Sequence, residues 1–304
     1  MAVVRATKSL WQRLSRLGAL GLAYFLLALP LRVYFELVRS LGLLNYHLNG
    51  TQRQAALANL SATFPDRYSP ADLQTCCRQH FRVRSAKYIN FLAYPALSVE
   101  WLSRYMRIDN LDLFLSGFKN GKGVIVTGIH TGDMNLTVPV VSTLCRCHVI
   151  RMGRVDEVQR LTSGRVFGTH EPLRGLYRAL GNGDCLALAV DGIAGKKLVP
   201  VKFLGHQIYV QPTVPRLVRH TGSTIIPMIS RLGSENRYEM VFLAPVSYQE
   251  DLDQPDFHQR VMQKIFSTYE PYIQADPAQW HLWPFLDIMR LPAESRPAEF
   301  IYRR

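Results

Sequence analysis

From about residue 106 the chain alternates short apolar runs with amphipathic stretches, and this alternation limits the fold more than any other feature. Strands are expected at 123–129, 147–151, 184–190, 198–203, 206–210, 223–230 and 237–244, with helices at 109–119, 134–144, 170–181, 212–220 and 254–275. Short strands interleaved with helices point to the α/β class, with a mixed, largely parallel sheet covered by helices on both faces. Residues 1–105 read instead as mostly helical. "NGTQRQAALANLSATFPDRYS" predicts a helix that stops at Phe64-Pro65. Ser69 as N-cap and Pro70 at the first helical position then open a long helix. Near its end Tyr88, Phe91 and Tyr94 are expected in the core. The chain of 304 residues is 48% apolar, enough for a large core. The expected organisation is an anchoring helix in 1–48 and a catalytic domain in 49–304, made of a helical lead-in (49–105) and an α/β core (106–304).

Leu17 to Leu31 carries no charge and is bracketed by Arg16 and Arg32, with Arg5, Lys8, Trp11 and Arg13 ahead of it. A clean membrane span needs about 20 apolar residues, so this run is short. No small-residue cleavage site ends it, and "ALPLRVYFELV" is expected to continue as amphipathic helix. Basic residues and an aromatic at its flank predict a membrane-attached helix, dipping in or just spanning, with the basic end on the cytoplasmic side. Net charge is +13 (36 basic against 23 acidic residues), which calls for a polyanionic neighbour. The basic residues form no block and have no aromatic platforms among them, so anionic lipid or a phosphorylated ligand is favoured over nucleic acid. Five cysteines at irregular spacing fit a reducing compartment. Cys145-Arg146-Cys147-His148 lacks the second pair a zinc site needs, and buried thiols are expected there. Gly121-Lys122-Gly123 precedes its strand, whereas a phosphate loop follows one. No metal or bound cofactor is therefore expected.

The chemistry concentrates in "GVIVTGIHTGDMN", residues 123–135. His130 closes an expected strand, and Thr131 or Asp133 can cap the helix that follows. In open α/β sheets ligands collect beyond the carboxyl ends of strands. A second such end is "CLALAVDGIAGKK", where Asp191 emerges from an apolar run with Lys196-Lys197 behind it. His130 is thus a candidate base, and its carboxylate partner could be Asp133, three residues on, or Asp191 from the other strand end. Lys196 could meet an acidic carrier, an acceptor phosphate or a headgroup, and a solvated loop fits it equally.

Together "RQAALANLSATFPD", "CCRQHF", "GVIVTGIHTGDMN", "GRVFG", the stretch from Leu188 to Arg231 and "DPAQWHLW" resemble, in order and spacing, the bacterial lipid A biosynthesis (lauroyl/myristoyl) acyltransferases, within the lysophospholipid acyltransferase superfamily. The resemblance implies a glycerolipid-acyltransferase-like fold. It implies transfer of an acyl group from an acyl carrier protein or coenzyme A thioester, a co-substrate rather than a cofactor, to a hydroxyl or amine of a lipid, glycolipid or lipid-like metabolite. The implied partners are acyl carrier protein, anionic membrane lipids and the lipid acceptor, and the implied place is the cytoplasmic face of the bacterial inner membrane. His130 would be the general base and Arg165 the cation near an acceptor phosphate or the tetrahedral oxygen. The family pattern has Asp or Glu five residues after the histidine. This chain has Asn135 there, which can accept or donate a hydrogen bond to substrate or ring but brings no charge. That departure leaves a catalytically degenerate acyl-binding protein as the alternative.

Overall fold

The computed structural model describes residues 17–151, 159–168, 171, 173–233 and 237–301. Its centre is a seven-stranded sheet in the order β1-β9-β8-β2-β5-β3-β4. The strands are β1 (Met106–Asp109), β2 (Val124–Gly128), β3 (Cys147–Arg151), β4 (Val166–Gly168), β5 (Cys185–Ala189), β8 (Thr224–Leu232) and β9 (Tyr238–Phe242). A separate hairpin pairs β6 (Val199–Phe203) with β7 (His206–Val210). From β8 to β4 all neighbours are parallel, whereas β8 and β9 are antiparallel and β1 follows β9 in parallel. The mixed, largely parallel sheet expected from the sequence is present. β1 and β4, at four and three residues, are the two strands the periodicity did not reveal.

β2 is buried along its whole length, and its side chains sort by parity. Ile125, with Ile225 and Ile229 of β8, joins one apolar cluster, which contains Leu217 of one helix (Thr213–Thr221) and Val261 and Phe266 of another (Phe257–Ala275). Val124 and Val126, with Ile226 and Met228, join the other, which takes in Leu26, Tyr34, Phe35, Val38, Val83 and Ile89 from the N-terminal helical region. Helices on both faces explain a strand that reads as a continuous apolar run.

The N-terminal helices are α1 (Leu17–Ala28), α2 (Leu31–Leu48), α3 (Gly50–Thr63) and α4 (Pro70–Ala93). α1 and α2 are not one continuous helix: they meet at Leu29-Pro30 with a bend of 115°. Pro30 lacks an N–H and sits at φ −54°, ψ 139°, an extended conformation that ends the first helix and caps the second. α4 starts with a capping box, in which Ser69 Oγ accepts the Asp72 N–H and the Asp72 carboxylate accepts the Ser69 N–H, each at 3.2 Å, with Pro70 at the first turn. α2 crosses α4 at Gly42, where a Cβ would stand 2.5 Å from the Arg82 Cα, so only glycine permits that approach. Tyr34, Phe35 and Val38 of α2 are buried in the cluster that contains Val124 and Val126. Among the described residues no single helix is long and apolar enough to cross a membrane; α1 and α2 satisfy that test only as a bent pair.

Candidate active site

The pairing of β2 with β5 builds the site. Gly128 is opposite Ala189, and the ladder continues with the Val190 N–H on the Gly128 carbonyl at 2.9 Å. Two residues beyond each strand, the same offset brings His130 beside Asp191. Asp191 Oδ1 lies 2.6 Å from His130 Nδ1, and Oδ2 accepts both the His130 backbone N–H and the Trp280 indole N–H at 2.9 Å. The carboxylate is fully buried but has three donors, the condition under which an anion tolerates removal from water. With Nδ1–H donated to Asp191, Nε2 keeps its lone pair, on a ring that is 43% exposed. Partial burial depresses the imidazole pKa, but the charge and hydrogen bond of Asp191 outweigh it, and the net displacement is upward.

The turn after His130 is held from two sides. Thr131 bridges to Trp280, and the His281 N–H donates to the His130 carbonyl at 2.8 Å. At Gly132 φ is +49°, and a Cβ would stand 2.7 Å from the Ser230 carbonyl oxygen of β8, so both backbone and neighbour demand glycine. Asp133 is buried, and its carboxylate accepts from Asn90 Nδ2 (2.8 Å), Tyr94 Oη (3.1 Å), the Asn135 N–H (3.0 Å) and Asn135 Nδ2 (3.2 Å). Burial raises its pKa despite these bonds. Asn90 in turn accepts from Tyr238 Oη at 2.9 Å and from Tyr34 Oη. Asp133 is therefore a cap that fastens the turn to α4, and through Asn90 to α2 and β9. Of the two carboxylates considered for the imidazole, it is Asp191 that reaches the ring; the bonds of Asp133 all point to other groups.

A cavity of about 820 Å³ opens at these strand ends. Val126, Val138, Leu188, Val214 and Met228 supply apolar wall, and Lys87, His130, Asn135, Lys196 and His281 the polar groups. Its volume is in the usual range for small-molecule sites. Tyr88, Phe91 and Tyr94, expected as core, also line it; only Tyr94 of the three is buried, with its hydroxyl on Asp133. Lys196 reaches the cavity from the exposed loop after β5.

Arg165 is not among the residues lining the cavity. The β3–β4 register sets it beside His148, level with Leu186 and Ile125, five residues short of His130 along the sheet. There its guanidinium is ion-paired with Glu171 and lies 4.8 Å from the Phe167 ring centre. The expectation of an active-site cation at Arg165 is corrected on this ground: the edge strand β4 holds it on the surface. Sequence reasoning missed Trp280 as the third donor to Asp191, and Lys87 and His281 as cavity groups. "DPAQWHLW" was visible as a phrase, but only the fold brings Trp280 to Asp191.

The arrangement can take a proton at Nε2 and hold the resulting imidazolium against Asp191, beside a largely apolar cavity. The chain has no significant match among curated proteins. A family model, described as bacterial lipid A biosynthesis acyltransferase, matches residues 10–284.

Proposed function

Because the chain belongs to the bacterial lipid A biosynthesis acyltransferase family, we propose that it moves a fatty acyl group from a carrier-protein or coenzyme A thioester to a hydroxyl or amine of a lipid-like acceptor, with His130 as general base. The observation that carries this reading is the 2.6 Å contact between His130 Nδ1 and buried Asp191 at a mostly apolar cavity. The acceptor hydroxyl gives its proton to Nε2 as its oxygen attacks the thioester carbonyl carbon. Asp191 stabilises the imidazolium. The tetrahedral intermediate then collapses, the C–S bond breaks, and the proton returns to the leaving thiolate. The apolar wall accommodates the acyl chain.

α1 and α2 support a membrane-surface setting. Val33, Leu37, Leu41, Leu44 and Leu48 lie at helical spacing along α2 and are all exposed, while the opposite side of the helix is buried. A helix apolar on both sides suits one lying in the headgroup region, with the surplus positive charge facing anionic lipid. That position would bring a lipid acceptor to the cavity on the cytoplasmic face.

The alternative of a non-catalytic acyl binder rested on Asn135. With Asp191 on the ring, asparagine at 135 removes no charge from the imidazole. The test is release of free thiol from acyl carrier and coenzyme A thioesters by protein in detergent micelles, offered lipid acceptors. His130→Ala should bring thiol release to background. Release equal to wild type in that variant would overturn the assignment.

A further inference from the structure

Arg84, Lys87 and Asn90 succeed one another at one-turn spacing along α4, and Lys87 lines the cavity together with His130 and His281. Among the titratable groups around it, His80 on the same helix is buried, and burial chiefly holds its pKa down to about 3, so it is neutral. Asp191 has its three donors and Asp133 its four. Arg84, on the same helix, donates to Gln52 Oε1 at 2.6 Å and lies over the Phe285 ring. His281, from the C-terminal segment, is held well below the usual histidine range, first by burial, and is neutral. Among the described residues no carboxylate lies within ion-pair distance of Lys87 Nζ, whose close contact is the Tyr88 ring at 5.3 Å.

An ammonium half withdrawn from water without a fixed counter-anion is costly, and a cavity that keeps one is suited to an anion that comes and goes. Acyl transfer creates such an anion: the carbonyl oxygen becomes an oxyanion when the C–O or C–N bond forms, and reverts when the C–S bond breaks. We propose that Lys87 is the oxyanion cation of this site, the role the exposed Arg165 does not fill. This rests on the acyl-transfer reading above. Burial chiefly, and then Arg84, pull the Lys87 pKa down to about 8, with Asp133 opposing. Activity then requires His130 neutral and Lys87 charged, which gives a bell-shaped profile with its alkaline limb near pH 8.

The test measures thiol release against pH for wild type, Lys87→Met, Lys87→Arg and His130→Ala. Lys87→Met should lose about 10²–10³-fold in kcat, as for removal of one oxyanion donor, with KM nearly unchanged and no alkaline limb. Lys87→Arg should retain most turnover and also lack that limb, because guanidinium does not titrate in range; it serves as the readout if the Met variant does not fold. Wild-type kcat in Lys87→Met, a raised KM at unchanged kcat, or an alkaline limb persisting in Lys87→Arg would each overturn the proposal. If His130→Ala is inactive while Lys87→Met matches wild type, only the Lys87 assignment fails. If wild type and His130→Ala release thiol alike, the acyl-transfer reading fails with it.

Discussion

Asp191 and Asp133 are both buried beside the same turn, both accept several hydrogen bonds, and both stood as possible partners of His130. Their donors separate them. Asp191 receives the imidazole, a backbone N–H and an indole, so its charge faces the one group that would gain a proton in the proposed reaction. Asp133 receives an asparagine on α4, a tyrosine that follows it, and its own helix start, so its charge secures the turn to the lead-in helices. Proximity along the chain was the poorer guide: three residues separate His130 from Asp133, and 61 separate it from Asp191.

The largest effect that can break this comparison is at Asp191. Asp191→Asn should keep the fold but lower turnover about ten-thousand-fold, as when the carboxylate of a serine-protease triad becomes an amide. The surviving acid limb should also move. In the wild type the raised His130 pKa sets that limb above the ordinary histidine value of about 6.5. Without the Asp191 charge, burial and the Lys87 ammonium remain and both act downward, so the limb shifts to lower pH. A limb that stays in place would remove Asp191 from the ring.

Asp133→Asn should act in the opposite manner. An amide NH₂ would face groups that are themselves donors, with a stability loss of about 1–3 kcal/mol in denaturant titration. Turnover should fall far less than in Asp191→Asn, and the acid limb should not move. Equal losses of turnover in the two variants would erase the distinction. Asn135→Asp should do least. It restores the acid of the family pattern, but the asparagine Nδ2 is 3.2 Å from Asp133 Oδ1, so a carboxylate there meets a carboxylate. We expect no gain in turnover and a destabilisation of at most about 1 kcal/mol. A clear rise in turnover would assign the ring's charge to position 135 after all.

What could be read in the sequence was what local chemistry decides. Ser69, Pro70 and Asp72 predicted the start of α4, and the run into His130 predicted β2 and the strand-end histidine. The choice between Asp133 and Asp191 was not readable, because it depends on β5 lying next to β2 with β3 and β4 intervening in the chain. Arg165 shows the converse: a family phrase conveyed a residue type, but the edge position of β4 decided where its guanidinium went. β1 and β4 are too short to display a period of two, and the break at Pro30 ran against an amphipathic pattern that continued across it.

The clamp on the turn comes from the far end of the chain. Trp280 donates to Asp191, Thr131 bridges to Trp280, and the His281 N–H holds the His130 carbonyl. During synthesis His130 and Asp191 emerge long before their last partners, so the nascent chain carries both halves of the dyad in an unfinished setting. The turn and its buried carboxylate thus take their last hydrogen bonds from residues 280 and 281, so the setting of His130 is completed by one of the latest segments of the chain to be made.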